Sequence, residues 1–273
     1  MHNAMNRNLF YFLTCLGIFC MSMSPEPGGL RTIENNTFQR GEFIKYKVHY
    51  GIINAGFCSM EVKPEPVYVN GRKCHHLVGK GYSNSTFDLF YKVRDVYESY
   101  MDEEALVSWR FMRTIQEGKF FSYTETHFEQ DKRRAKYIDR KKQVKFYPTP
   151  ENIHDVVSAL YYARTVYDAD ALKPGDRISL RNFIDRKTVD LEAELLAREV
   201  IKVQGQKYKC LKLRLTVAES GLITDGASIT LWVSNDKNKI PIRMQSELAI
   251  GSLKADLFEY RNLRHPFEAK IDR

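Results

Sequence analysis

The sequence predicts a mainly β protein: a large curved antiparallel sheet or half-barrel carrying one central helix near residues 155–167. Three observations predict it. Apolar and polar residues alternate with period two along most of the chain. Turn-forming pairs such as Asn70-Gly71, Glu117-Gly118, Gln204-Gly205 and Asp225-Gly226 separate the alternating runs. The 273 residues include 16 Tyr, 16 Phe and 2 Trp, side chains that suit a pleated, half-buried surface.

The chain opens on a segment of another kind. Arg7 precedes a nearly unbroken apolar run from Leu9 to Met21, and Pro25-Glu26-Pro27-Gly28-Gly29 follows. The run is too short to span a hydrocarbon core of about 30 Å comfortably. Residues 1–22 therefore read as a secretory signal peptide, followed by a disordered linker over 23–35. Cys15 and Cys20 follow Thr14 and Phe19, a poor match to a lipid-modification site, so a lipid anchor and an uncleaved amino-terminal anchor are the lesser alternatives.

From residue 36 the alternation takes over. In 42–50, Ile44, Tyr46, Val48 and Tyr50 point one way, while Lys45, Lys47 and His49 point the other. Further strands are predicted at 74–82, 92–100, 107–116, 120–128, 134–139 and 143–147. After the helix they continue at 177–184, 189–195, 211–217, 227–234, 240–248 and 252–260. One wet and one apolar face per strand implies antiparallel pairing. The helix is predicted from Val156, Leu160, Ala163 and Tyr167 at helical spacing, with Asp155 as N-cap. A second apolar side (Val157, Tyr161, Val166) points to burial on more than one face. A short helix or turn is expected at 85–90. One domain is expected over 36–262, then a frayed polar tail over 263–273.

Catalytic signatures are absent from the sequence: there is no Gly-x-Ser-x-Gly, His-Glu-x-x-His, Walker A or Cys-x-x-Cys pattern. Cys74-His75-His76 is the most metal-like cluster, but adjacent strand residues face opposite ways, so at most Cys74 and His76 would converge, with a distant partner needed to complete a site. Asp190, Glu192 and Glu194 alternate as a solvated strand face does. Asp88, Arg94, Asp95 and Glu98 read as a polar, ion-paired group. Cys58, Cys74 and Cys210, the cysteines after the signal, allow one bridge, with Cys58–Cys74 open, or three buried thiols. No cofactor and no metal site is expected.

Charge is distributed less evenly. The formal net charge is +8, and the stretch from Lys132 to Lys145 holds eight cations against the single anion Asp139. Such clustering is either a solvated hairpin or a contact for an anionic partner. Arg133, Arg134, Arg140, Lys141 and Lys142 are its candidate contact residues. An exported chain is not expected to meet nucleic acid.

Several blocks carry a family resemblance. Phe38-Gln39-Arg40-Gly41-Glu42-Phe43-Ile44-Lys45-Tyr46 with Tyr50-Gly51-Ile52-Ile53-Asn54-Ala55-Gly56 is one. The helix Asp155 to Arg164 is the second, and Leu231-Trp232-Val233-Ser234-Asn235-Asp236 with Ile240-Pro241-Ile242 is the third. Together they resemble domain-of-unknown-function family 3108, a family of exported bacterial proteins. The resemblance implies a bacterial envelope location and a curved antiparallel sheet, and it brings no catalytic residues.

Three functions follow as expectations. The first is a non-catalytic periplasmic carrier holding an apolar or amphiphilic, lipid-like ligand on the curved sheet. Tyr46, Val48, Phe111, Phe121, Tyr161 and Trp232 would be its lining. The second is an envelope scaffold or assembly factor that binds another protein through a sheet edge or the basic hairpin, a hairpin for which an anionic membrane surface is a further candidate partner. A polymer hydrolase, the third, needs a convergent His or carboxylate cluster that no local motif supplies.

Overall fold

The computed structural model describes residues 29–217, 229–247 and 252–272. The expected signal segment, most of the linker and the turn at Asp225-Gly226 lie outside the described residues. Residues 31–273 form one compact unit.

Before the central helix the strands are β1 (Phe43–Tyr50), β2 (Ile53–Val62), β3 (Val67–Val69), β4 (Arg72–Ser83), β5 (Arg94–Asp102), β6 (Ser108–Glu117), β7 (Phe120–Glu129), β8 (Arg134–Ile138) and β9 (Val144–Pro148). A short helix, α1 (Ser85–Asp88), joins β4 to β5, and the central helix is α2 (Val156–Val166). After it come β10 (Arg177–Ile184), β11 (Lys187–Val203), β12 (Gln206–Val217), β13 (Ile229–Ser234), β14 (Pro241–Glu247), β15 (Ser252–Arg261) and β16 (Lys270–Ile271).

All named strands pair antiparallel in one sheet, ordered β10-β11-β12-β13-β14-β15-β1-β2-β4-β5-β6-β7-β8-β9, with β3 on β4 and β16 on β12. The first strand thus sits mid-sheet, and the chain leaves by β9 and returns at the opposite edge by β10. Register shifts at Lys45/Tyr46, Val48/His49, Tyr100/Met101, Leu195/Ala197 and Trp232/Val233 bend the strands. Each such bulge adds local twist and curl. The two edges approach without pairing to each other. Phe183 of β10 meets Phe128 of β7 and Tyr147 of β9, each at 5.9 Å between ring centroids. Arg113 of β6 pairs with Asp185 at 2.9 Å. The backbone of His154 spans the seam, donating to Arg181 O at 3.2 Å and accepting from Phe183 N–H at 2.8 Å. The result is an open barrel rather than a closed one.

Three strands were not expected. β2 (INAGFCSMEV) mixes small, polar and apolar residues on both faces, so its alternation is blurred, while β3 and β16 have three and two residues. The ends also depart from expectation. In the linker, Ile33 N–H donates to Glu104 O at 2.8 Å, and Arg31 donates to Ala105 O at 3.1 Å and to the Tyr162 hydroxyl at 3.0 Å. Over 31–35 the expected disordered linker is therefore a docked arm. The expected frayed tail is docked as well. Phe267 packs its ring on Tyr208 and Tyr260, Ala269 is fully buried, and Lys270 pairs with Tyr208. A few apolar residues in a polar stretch suffice when the body offers an unfilled notch and free ladder positions.

Candidate functional site

The central helix organises the site. Asp155 caps it by accepting from the backbone N–H of Val157 and Ser158, and Ser158 Oγ accepts from Asp155 N–H in return. The cap is buried. The other carboxylate oxygen of Asp155 accepts from Ser99 Oγ at 2.6 Å and Ser108 Oγ at 2.5 Å, which pins the helix start to β5 and β6. Burial raises the Asp155 carboxyl above its ordinary range, and the Ser108 and Ser99 hydrogen bonds oppose that rise.

The two predicted helix faces go to different places. Val157 and Tyr161 enter a packed core with Phe38, Val62, Leu77 and Met101. Val156, Leu160, Ala163 and Tyr167 look into a cavity of about 730 Å³. Val166, expected on the packed side, is exposed. The far wall of the cavity is the apolar face of the second half of the sheet, with Leu180, Leu191, Leu213 and Leu231, joined by Val48 and Cys58.

Its volume exists because facing positions carry small or aliphatic side chains: Ala159 and Ala163 on the helix, Ala193 and Ala255 on the sheet. Polar lining is sparse. The Arg164 guanidinium is committed to Glu42 at 2.7 Å. Lys239 donates to Tyr167 O and lies 4.6 Å from the Tyr167 ring, and burial lowers its pKa. Burial also pushes the Cys58 thiol up to about 12, which leaves it un-ionised and unreactive at neutral pH. A second, more polar cavity of about 360 Å³ lies beside the first, lined by Tyr97, Phe111, Arg113, Tyr137 and Arg186.

Of the six residues expected to line a ligand site, only Val48 reaches the large cavity, and Phe111 lines the smaller one. Tyr46 and Tyr161 are fully buried in packed cores. Leu231 and Val233 line the cavity, so period two sends Trp232 to the other side, into the core with Ile44 and Tyr208. Phe121 is exposed, with the Arg140 guanidinium 4.9 Å from its ring. The aromatic candidates are thus distributed between cores, surface and the smaller cavity. Large rings fill space and build cores, whereas this cavity forms where alanines and Leu, Ile and Val side chains face one another. The apolar alternation of Val189, Leu191 and Ala193 and of Leu213 and Leu215 is the sequence signal that lies on its wall.

The basic hairpin divides in two. Arg133 pairs with Glu151, and Arg134 and Lys132 pair with Glu129 at 2.8 and 3.2 Å. Arg140, Lys141 and Lys142 sit at the other end of β8, which is five residues long, or about 16 Å away at 3.3 Å per residue. The anionic-partner cluster is thus not one patch, and its first two members already have carboxylates.

Remaining sequence candidates resolve into local pairs. His76 bonds Glu98 at 2.8 Å and stacks on Tyr100 at 4.7 Å, while His75 packs on Phe38 at 5.2 Å. Among the described residues no three His, Cys, Asp or Glu side chains converge as metal ligands. Arg177 meets Glu192 at 3.1 Å and Arg181 meets Asp190 at 2.9 Å, which accounts for the carboxylate ladder. Asp88 pairs with Arg94 at 2.5 Å. Cys58, Cys74 and Cys210 are free thiols, with no bridge between Cys58 and Cys74. Among the described residues no helix is long and apolar enough to cross a membrane.

Fold and site together define an open antiparallel barrel whose central helix and half of whose sheet enclose an apolar cavity. The chain belongs to the family described as protein of unknown function DUF3108, whose model matches residues 45–257. Its fold is similar to a beta-barrel-like protein of domain of unknown function DUF1849 from Brucella abortus, at 10% identity and TM-score 0.53, covering 82% of this chain and 99% of that one. Weaker likenesses are to a protein with a YmcC-like fold from Bacteroides fragilis (11% identity, TM-score 0.32, 85% and 100% covered) and one described as a lipoprotein from Parabacteroides distasonis (12%, 0.29, 84% and 100%). No curated protein matches the chain at a significant level.

Proposed function

We propose that this protein is a non-catalytic carrier of the bacterial envelope that holds an apolar chain, or the apolar part of an amphiphile, between α2 and the concave sheet. One observation carries the reading. The cavity of about 730 Å³ is walled mainly by Leu, Ile, Val and Ala side chains, with Arg164, Lys239, Gln245 and Ser246 as its few polar members, and falls in the size range of small-molecule sites. Apolar walls that face water gain when an apolar occupant takes their surface out of it. A chain of methylenes does so without needing hydrogen-bond partners, of which the walls offer few.

Catalysis has little to work with at this place. The Cys58 thiol is held neutral, Arg164 is spent on Glu42, and no histidine lines the cavity. Export is supported by the signal-like segment over 1–22 and by the resemblance to exported proteins.

The test is native mass spectrometry of the protein purified from a bacterial periplasm, beside an organic-solvent extract of the same sample. A discrete added mass that extracts as an apolar or amphiphilic molecule is the expected result. An unliganded mass that persists after incubation with envelope lipids removes the carrier reading.

A further inference from the structure

In an antiparallel sheet every second connection emerges at the same end. The turns β1–β2, β4–β5, β6–β7, β8–β9 and β10–β11 therefore share one rim of the barrel. They are tied to one another. Asn84 Nδ2 donates to Asn54 O at 2.6 Å, the Tyr91 ring lies over Gly118, and Arg140 lies over Phe121.

This rim carries the most exposed large apolar side chains of the described residues. Ile52 is completely exposed, Phe90 and Leu89 are 83% and 82% exposed, and Phe120 follows at 58%. Cations stand among them: Lys92, Lys119, Lys141, Lys142 and Lys187 are all exposed. Among the described residues of these turns, Asp88 is paired with Arg94 and Asp185 with Arg113, Asp139 accepts the Gln143 N–H inside its own turn, and Glu117 accepts from the Tyr91 hydroxyl at 3.5 Å. At the opposite end, the β3–β4 hairpin exposes only Tyr68 as a large apolar group.

We infer that this rim is a docking surface for an anionic lipid bilayer. The tips stand on three different turns: Ile52 on β1–β2, Leu89 with Phe90 on β4–β5, and Phe120 at β6–β7. A protein partner would need a packed, water-excluding centre, whereas a lipid interface closes around individual side chains. Apolar and aromatic tips flanked by lysines match the two attractions that such an interface offers: burial at the acyl boundary and the negative surface potential. The apolar wall of the cavity reaches the same end through Ile229 and Leu253, the first and second residues of their strands. Docking does not depend on what fills the cavity, so the two readings can fail separately.

The experiment uses the full chain with one reporter at each end, Phe90→Trp or Tyr68→Trp, both at exposed positions. The native Trp109 and Trp232 are buried and give a common background. Vesicles of phosphatidylglycerol and phosphatidylcholine carry bromine on their acyl chains as a contact quencher. The expected result is quenching of Phe90→Trp and not of Tyr68→Trp. Replacing Lys119, Lys141 and Lys142 with Glu is expected to lower vesicle partitioning by about tenfold or more. Equal quenching of both reporters, as unoriented attachment through the apolar amino-terminal segment would give, overturns the assignment. So does quenching of neither, or quenching that survives the charge reversal unchanged.

Discussion

Arg164 and Glu42 form a bidentate ion pair in the interior, with Nη1 donating to Oε1 at 2.7 Å and Nη2 to Oε2 at 2.8 Å, and neither side chain is more than 4% exposed. Nε and Nη2 of Arg164 also donate to Asn238 O at 3.1 and 3.0 Å. One guanidinium thus joins the last turn of α2, the entry to β1 and the loop before β14. Those are the three pieces that fix the helix against the half-sheet and so set the width of the cavity.

Removing one partner leaves a buried charge alone, so Arg164→Met is expected to cost about 3–5 kcal/mol in urea unfolding. The double variant Glu42→Leu with Arg164→Met removes both charges and is expected to recover most of that loss. If the two single losses simply add in the double variant, the pair does not act as a unit and this account of the helix anchor is wrong.

Acid should loosen the seam of the barrel. Burial, with the neighbouring Arg31 guanidinium adding to it, pushes His154 down to about 3. Arg31 Nη2 donates to its Nε2 at 2.9 Å, so the folded form is the neutral ring. An unfolded histidine takes up its proton near pH 6.5. Stability is therefore whole above about pH 6.5 and is lost as pH falls towards about 3, reaching roughly 2 kcal/mol at pH 5 from this group alone. His75, lowered to about 4 chiefly by burial and then by Arg40 and Lys73, adds in the same direction. His154→Gln keeps an acceptor for Arg31 but cannot titrate. Its stability between pH 6.5 and 4.5 is expected to fall less steeply than that of the parent, and parallel curves would count against it.

Much of the architecture was legible in the sequence because period two is a direct imprint of a sheet with one wet face. Asp155 announced the helix start, and Val156, Leu160, Ala163 and Tyr167 announced the face that turned out to border a cavity. What could not be read was long-range. Nothing local says that Glu42 meets a residue 122 positions on. Nor does anything local say that Arg133 and Arg140 stand at opposite ends of one short strand. Tyr46 and Trp232 fit a binding lining by composition alone. Whether a ring fills a core or borders a void depends on what stands opposite, which only the fold decides.

The docked carboxyl-terminal segment makes a separate claim on stability. Phe267 lies 5.6 Å from the Tyr208 ring and 4.8 Å from that of Tyr260, Ala269 N–H donates to Asp236 at 3.1 Å, and Ala269 O accepts from Lys209 N–H at 2.8 Å. Phe267→Ala removes a partly buried ring and is expected to cost about 2 kcal/mol, below the range for a fully buried one. Thermal unfolding of that variant is the check. A melting temperature equal to the parent's would mean that the segment is not held in solution.

Filling the cavity separates a binding volume from a packing defect. Ala163 faces it from the helix, with Leu213 and Leu231 among the walls beyond. In a close-packed interior, Ala→Phe forces neighbours off their rotamers at a cost of about 1–3 kcal/mol. Against an open apolar volume the same ring gains contacts instead, so Ala163→Phe is expected to fold with stability equal to or above that of the unliganded parent. It should also exclude a chain-like occupant, because a benzyl group projecting from the helix divides the volume. The paired measurement is urea unfolding of the delipidated protein together with uptake of a fluorescent fatty-acid probe. Unchanged or raised stability with probe uptake reduced about tenfold or more is the expected pair, as binding differences of that size follow from about 1.4 kcal/mol. A destabilised variant would show that the space closes in solution. A stable variant that still takes up the probe at parental affinity would place the ligand elsewhere, and the smaller cavity around Phe111 and Tyr137 would be next to fill.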